Sequence, residues 1–145
     1  MTYVANKKLQ TVMTLAMHEA MTALMLVTSR AIKTKLSKEP ARTGRLYTKR
    51  GGRKHRASAA GEAPAVDTGA LRRSWGVRRG EGKWGVRGKG ISLTFGSILA
   101  YARIDRGWGR VAPRPYVEPS LRIVRPMIEK IAARAMISVL KRGAA

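Results

Sequence analysis

The sequence predicts an α+β fold: a long N-terminal helix and a C-terminal helix packed on a small antiparallel β-sheet, with an extended basic arm between the first helix and the sheet. Three observations predict it. Apolar residues recur at spacings of three and four at both ends of the chain, which is the period of an amphipathic helix. Residues 75–95 alternate in polarity over short stretches separated by glycine pairs, as half-buried strands and their turns do. Between these regions lies a run with no period and a high density of Lys and Arg. At 145 residues the chain is a single domain by size, long enough to bury one core.

Residues 5–37 carry the first helical pattern: Leu9, Val12, Met13, Ala16, Met17, Ala20, Leu24, Val27 and Ala31. Asn6 is a candidate N-cap, and Pro40 marks a limit past the end. A helix of ~30 residues is ~45 Å long, more than a domain this small covers, so part of it is expected to pack on a neighbouring subunit. Met13, Met17, Met21 and Met25 lie in it, with Met1 before it. Such a stripe reads as core filling or as an adaptable contact surface. Met17, Met21 and Met25 are the candidates for a subunit interface. No membrane partner is expected, because His18 and Glu19 interrupt the apolar run that a span of ~20 residues needs.

Residues 38–67 form the arm. Arg45, Lys49, Arg50, Arg53, Lys54 and Arg56 place six positive charges within twelve residues, around Gly51-Gly52. Three shapes fit: an extended arm reaching along something acidic, a hairpin with Leu46-Tyr47-Thr48 as one side, folded back at the glycines, or a floppy solvated loop.

Residues 68–106 hold a short helix and a β-meander. Asp67 or Thr68 caps a helix over 69–74, with Leu71 and Trp75 four residues apart on one face. Strand candidates follow at 75–79, 84–87 and 91–95, with turns at Gly80-Glu81-Gly82 and Gly88-Lys89-Gly90. Their alternation gives the meander one buried face. Residues 98–104 read equally as a fourth strand or a helical turn.

Residues 107–118 are a Pro- and Gly-rich connector. Pro113 and Pro115 fix φ and hold the chain extended, and Tyr116 is expected to dock in the core or at a subunit seam. The last helix covers 119–142, with Leu121, Val124, Ile128, Ile131, Ala135 and Val139 as its apolar stripe. Pro126 kinks it or marks its true first turn.

Enzyme chemistry finds little support in this sequence: among eight carboxylates an acidic pair for general acid–base work is possible but unmarked. His18 and His55 are isolated, and no His-x-x-x-His spacing or phosphate loop is present. Asp105, between Arg103 and Arg106, reads as a structural ion-pair partner. With no cysteine, disulfides and thiolate metal sites are excluded, and neither a metal nor a cofactor is expected. The charge is the salient feature: thirty Lys and Arg against eight Asp and Glu, a formal net charge of +22. A compact chain with that imbalance repels itself and seeks a polyanion or an acidic protein surface. Trp75, Trp84 and Trp108 are stacking candidates, although tryptophans at alternating strand positions serve the core more often. Any nucleic-acid binding would address phosphates and ignore sequence.

Several segments, in order, resemble the tail-completion and head–tail connector (neck, minor tail) proteins of long-tailed bacteriophages. They are Gly44-x-x-Tyr47, a basic stretch, His55-x-Ala57-Ser58-x-x-Gly61-Glu62-x-Pro64 and Thr68-Gly69-x-Leu71-x-x-Ser74. Tyr101-Ala102 and Pro113-Arg114-Pro115-Tyr116-x-x-Pro119-Ser120-Leu121 then precede the final helix. Two places depart from the family pattern: Ala60, where proline is usual, and Asp105-Arg106-Gly107-Trp108, where an acidic residue, an aromatic, glycine and threonine are usual. The resemblance implies a virion structural protein, made in the host bacterial cytoplasm. It would assemble with copies of itself into a ring at the head–tail junction, preferably of six, alternatively of twelve. Its implied neighbours are other neck and tail-tube proteins. The arm is then expected to grip mainly acidic faces of those neighbours, with contact to the genomic DNA secondary. The alternative is a free, sequence-nonspecific nucleic-acid-binding protein.

Overall fold

One helix organises the chain. The computed structural model describes residues 2–38, 42–75, 83–87, 90–94, 96–97 and 99–143, and α1 spans Thr2–Lys38. At 1.5 Å per residue it is roughly 55 Å long. It begins three residues earlier than the sequence pattern indicates, so Asn6 lies inside the helix and is not its cap. The expected limit at Pro40 and the leading Met1 lie outside the described residues.

Two different faces of α1 are covered. Ala16 and Ala20 are buried in the first half, and Met25, Thr28, Ser29, Ile32 and Leu36 in the second. The expected stripe through Leu24, Val27 and Ala31 is only half-buried. The helix is apolar on several sides, so period alone does not choose which side faces the core; its partners do. Ile32 and Leu36 turn toward Ala63, Trp75 and Tyr116.

The core is Ile32, Leu36, Ala63, Trp75 and Tyr116, with Leu71, Ile104 and Val117 packed against it. Trp75 and Tyr116 meet edge to face, ring centroids 5.9 Å apart, the arrangement the ring quadrupoles favour. Tyr116 is wholly buried and its hydroxyl donates to the Ala102 carbonyl at 3.0 Å. Of its two expected places, core or subunit seam, it takes the core.

α2 (Ala70–Ser74) starts after Gly69, which has a left-handed backbone and is itself the cap position. The Ala70 amide donates to Thr68 Oγ1, whereas Asp67 pairs with Lys49 and caps nothing. β3 (Lys83–Arg87) and β4 (Gly90–Thr94) form an antiparallel pair, with Lys83 opposite Thr94 and Arg87 opposite Gly90. α1 contacts β4. Of the strand candidate at 75–79, Trp75 is the C-cap of α2; residues 76–79, the turn at Gly80-Glu81-Gly82, and Gly88, Lys89, Phe95 and Ile98 lie outside the described residues, as does the side-chain face of the meander. Residues 100–105 resolve the choice between strand and helical turn: Ala100–Asp105 is a 3-10 helix.

The last helix begins earlier than expected and is broken. α3 spans Val117–Val124, a 3-10 turn covers Arg125–Met127, and α4 spans Ile128–Gly143. Pro126 sits in the turn, where its missing N–H interrupts the helical ladder. The start at Val117 has a distant cause. Asp105 Oδ1 accepts the amides of Tyr116 and Val117 at 2.7 and 2.8 Å, satisfying donors that the first turn leaves open. Asp105 is therefore structural, as expected, but as a helix cap and not as an ion-pair partner of Arg103 or Arg106. Along α3 and α4, Val124, Ala135 and Val139 are buried while Ile128 is exposed. Both helices contact α1, and Arg142 at the far end pairs with Glu19. The C-terminal chain thus runs back along α1, away from the core.

Candidate functional site

Two surfaces stand apart from the core: the basic arm and the outer sides of α1 and α4. The arm is a hairpin. β1 (Leu46–Thr48) and β2 (Lys54–Arg56) pair antiparallel, Leu46 opposite Arg56, Tyr47 opposite His55 and Thr48 opposite Lys54. The turn closes with the Lys49 amide on the Arg53 carbonyl and the Gly52 amide on the Lys49 carbonyl, both at 2.9 Å. Gly51 and Gly52 have φ of 98° and 79°, a region that side chains other than glycine rarely enter.

The base of the hairpin is clamped. At Gly44 a Cβ would lie 2.7 Å from the Ala57 carbonyl oxygen and 2.8 Å from that of Ser58, so glycine lets the two limbs close. The Glu62 carboxylate accepts the Thr43 amide at 3.1 Å, the Thr43 hydroxyl, and the Ala59 amide at 2.8 Å. Arg114 donates to the Ser58 carbonyl and the Gly61 amide to that of Pro113, tying the base to the connector. Nothing in local spacing pairs Thr43 with Glu62, 19 residues apart, so the sequence offered no signal for this clamp.

The Thr43 hydroxyl, then the Ala59 amide, hold the Glu62 carboxyl below its ordinary value. A carboxylate depressed in the folded state supports structure above its unfolded pKa, and that support fades as pH falls through the folded value. We expect the Thr43 and Ala59 amide resonances to shift together on acidification below the usual carboxylate range, and to stay flat in Glu62→Gln. Resonances that move alike in both proteins would remove Glu62 as the clamp.

The six arm cations are not equivalent. Lys49 pairs with Asp67, whose carboxyl is held below its ordinary value chiefly by that lysine. Arg56 donates to the Gly44 carbonyl at 3.2 Å. Arg45 lies over the Tyr47 ring, 5.7 Å from its centroid. Among the described residues, no carboxylate pairs with Arg45, Arg50, Arg53, Lys54 or Arg56. Strand alternation puts Arg45, Tyr47, Lys49, Arg53 and His55 toward one face, the side on which Asp67 lies, and Leu46, Thr48, Lys54 and Arg56 toward the other. Arg50 lies at the tip.

The interface candidates also divide. Met25 and Tyr116 are buried within the chain, Met21 is half-buried, and Met17 is exposed. Sequence reasoning missed a wider set. Leu9, Leu15 and Leu26 are 57%, 53% and 54% exposed on α1, and Ile137 and Leu140 are 53% and 51% exposed on α4. Residues Lys7–Ser37 are long and apolar enough to cross a membrane by length and composition, although His18 and Glu19 led to the opposite expectation. In the fold Glu19 holds Arg142 of α4.

Trp75 belongs to the core, and Arg103 lies over Trp108, 4.7 Å from the ring centroid; the side chain of Trp84 lies outside the described residues. An apolar cleft of about 200 Å³ opens beside Leu36, Val66, Leu71, Tyr101 and Ile104. Asp67 at its rim is engaged by Lys49. Among the described residues no group of three or more His, Cys, Asp or Glu converges to hold a metal ion. Comparison with protein-family models, curated proteins and solved structures returns no match.

Proposed function

We propose that this chain is a structural virion subunit. It acts by oligomeric assembly into a ring around the DNA exit channel at a phage head–tail junction, as a tail-completion, tail-terminator or neck-connector protein. The observation that carries the reading is the uncovered apolar surface of the α1–α4 pair. The core lies beside the C-terminal half of α1, and the outward residues Leu9, Met13, Met17, Leu26, Ile137 and Leu140 stay exposed. Exposed apolar side chains on several sides of α1 and along α4 offer contact to a partner, and a second copy presents the same ones. The virion context comes from the resemblance of the sequence to phage tail-completion proteins. That resemblance favours six copies, with twelve as the other closed arrangement, and other neck and tail-tube proteins as neighbours.

The net charge of +22 supports a second reading, a free protein that coats nucleic acid without regard to sequence. Negative-stain microscopy of the purified protein separates the two. Rings or stacked rings without added DNA are the expected result. Dispersed particles that organise only along added DNA would replace the first reading by the second.

A further inference from the structure

We propose that the hairpin of residues 44–57 is a duplex-binding arm that enters a nucleic-acid groove and contacts phosphates on both sides. This makes nucleic acid the arm's main partner, in place of the acidic protein neighbours that the resemblance suggests. It holds whether or not the chain forms a ring.

The first ground is where the negative charge of the chain goes. Of its eight carboxylates, Glu39 and Glu81 lie outside the described residues. Five of the other six are engaged internally: Glu19 by Arg142, Glu62 by Thr43 and Ala59, Asp67 by Lys49, Asp105 by the amides at the start of α3, and Glu118 by Arg122. Glu129 is the sixth. Among the described residues, another copy therefore offers this arm almost no acidic surface, and like-charge juxtaposition opposes homotypic docking.

The second ground is the distribution of the arm's cations. Arg45 and Arg53 belong to the face of the ribbon that also carries the Lys49–Asp67 pair, Lys54 and Arg56 to the other, and Arg50 to the tip. A ribbon lying on an acidic protein surface uses one face and leaves the other idle. A ribbon inside a groove has phosphates on both flanks. The third ground is shape. A ribbon with side chains on both faces is about 10 Å thick, and the major groove of B-DNA, about 12 Å wide, admits a two-stranded β-ribbon. Three paired residues and a turn extend it by ~10 Å or a little more, and Gly51-Gly52 leave the turn narrow. The Glu62 clamp fixes the direction in which the ribbon projects. Phosphate contact of this kind positions without reading sequence and allows a protein to slide along DNA, so it does not obstruct a passing genome.

The test uses the full chain and a short mixed-sequence DNA duplex, with binding read by fluorescence anisotropy across a fourfold range of salt. Five phosphate contacts give a slope of log affinity against log salt of roughly −4.5, or about 500-fold over that range, beyond what the rest of the chain contributes. A variant with Arg45, Arg50, Arg53, Lys54 and Arg56 all changed to Gln should lose about 4 units of that slope. A control with Arg30, Arg106, Arg110, Lys130 and Arg134 changed to Gln removes the same charge and should lose less than about half as much. Circular dichroism confirms that both variants fold, and sedimentation records their assembly separately, so a failed ring and a failed arm are distinguishable. Equal loss in the two variants would overturn the proposal in favour of bulk charge. Binding of poly-glutamate that depends on the arm, with duplex binding that does not, would overturn it in favour of an acidic protein partner.

Discussion

Tyr116→Ala is expected to lower stability by about 3–4 kcal/mol, the scale of large aromatic truncations in a core. The side chain is fully buried among Ile32, Leu36, Ala63 and Trp75, so its removal opens a cavity where α1, α2 and α3 meet. It also takes away an edge-to-face contact with Trp75 and the donor to the Ala102 carbonyl. For a domain of this length the midpoint of thermal unfolding should fall by roughly 10 °C. Tyr116→Phe keeps the ring and leaves the carbonyl without its partner, a loss of about 1 kcal/mol. Burial also pushes the hydroxyl up to about 12. A raised folded pKa means that this contribution is complete below the ordinary tyrosine value of about 10 and is lost as pH rises through the folded value. Alkaline destabilisation in that window should therefore be smaller in Tyr116→Phe. A melting curve for Tyr116→Ala that matches the native one would refute the core assignment.

How much of this was legible in the sequence depends on the range of the interaction that decides each feature. Local features were legible: both helical regions, the interruption at Pro126, the short helix carrying Leu71 just before Trp75, and the hairpin as one of three shapes around Gly51-Gly52. Features set at long range were not. The face that α1 turns to the core rotates between Ala16–Ala20 and Ile32–Leu36, because different partners cover the two halves, and an all-round apolar pattern is silent about partners. The start of α3 at Val117 is set by Asp105, whose flanking arginines pointed to ion pairing. Met25 looked equivalent to Met17 by composition, yet the fold buries one and exposes the other. In the candidate arm, the basic residues were legible as a cluster, whereas their division into two faces needed the strand register. The neutralisation of Lys49 needed the position of Asp67, 18 residues away.

If copies assemble through α1 as proposed, Met13→Asp with Met17→Asp disperses the assembly while leaving the helix intact. Both side chains are exposed on α1, so the changes open no cavity in the chain; Met21 is half-buried and is left unchanged. If each methionine is covered in the assembly, its burial contributes about 2 kcal/mol. Two losses per interface come to about 4 kcal/mol, roughly a thousandfold in the association constant. Desolvating an aspartate at the same place adds further cost. Sedimentation of the variant at tens of micromolar should then show the subunit mass, with native helical content by circular dichroism. Met25→Asp serves as the contrast: that side chain is buried in the chain itself, so its replacement should unfold the subunit rather than release it. Two results would sink the assembly reading. One is a native protein that is already monomeric at this concentration, with rings absent by microscopy. The other is a native protein that floats with phospholipid vesicles and a double variant that does not, which would assign the apolar length of α1 to a membrane. An interface between copies predicts neither. It predicts that the exposed methionines and leucines of α1 lose their accessibility to oxidants when the ring forms and regain it when the ring is dispersed, because only a second copy is available in the sample to cover them.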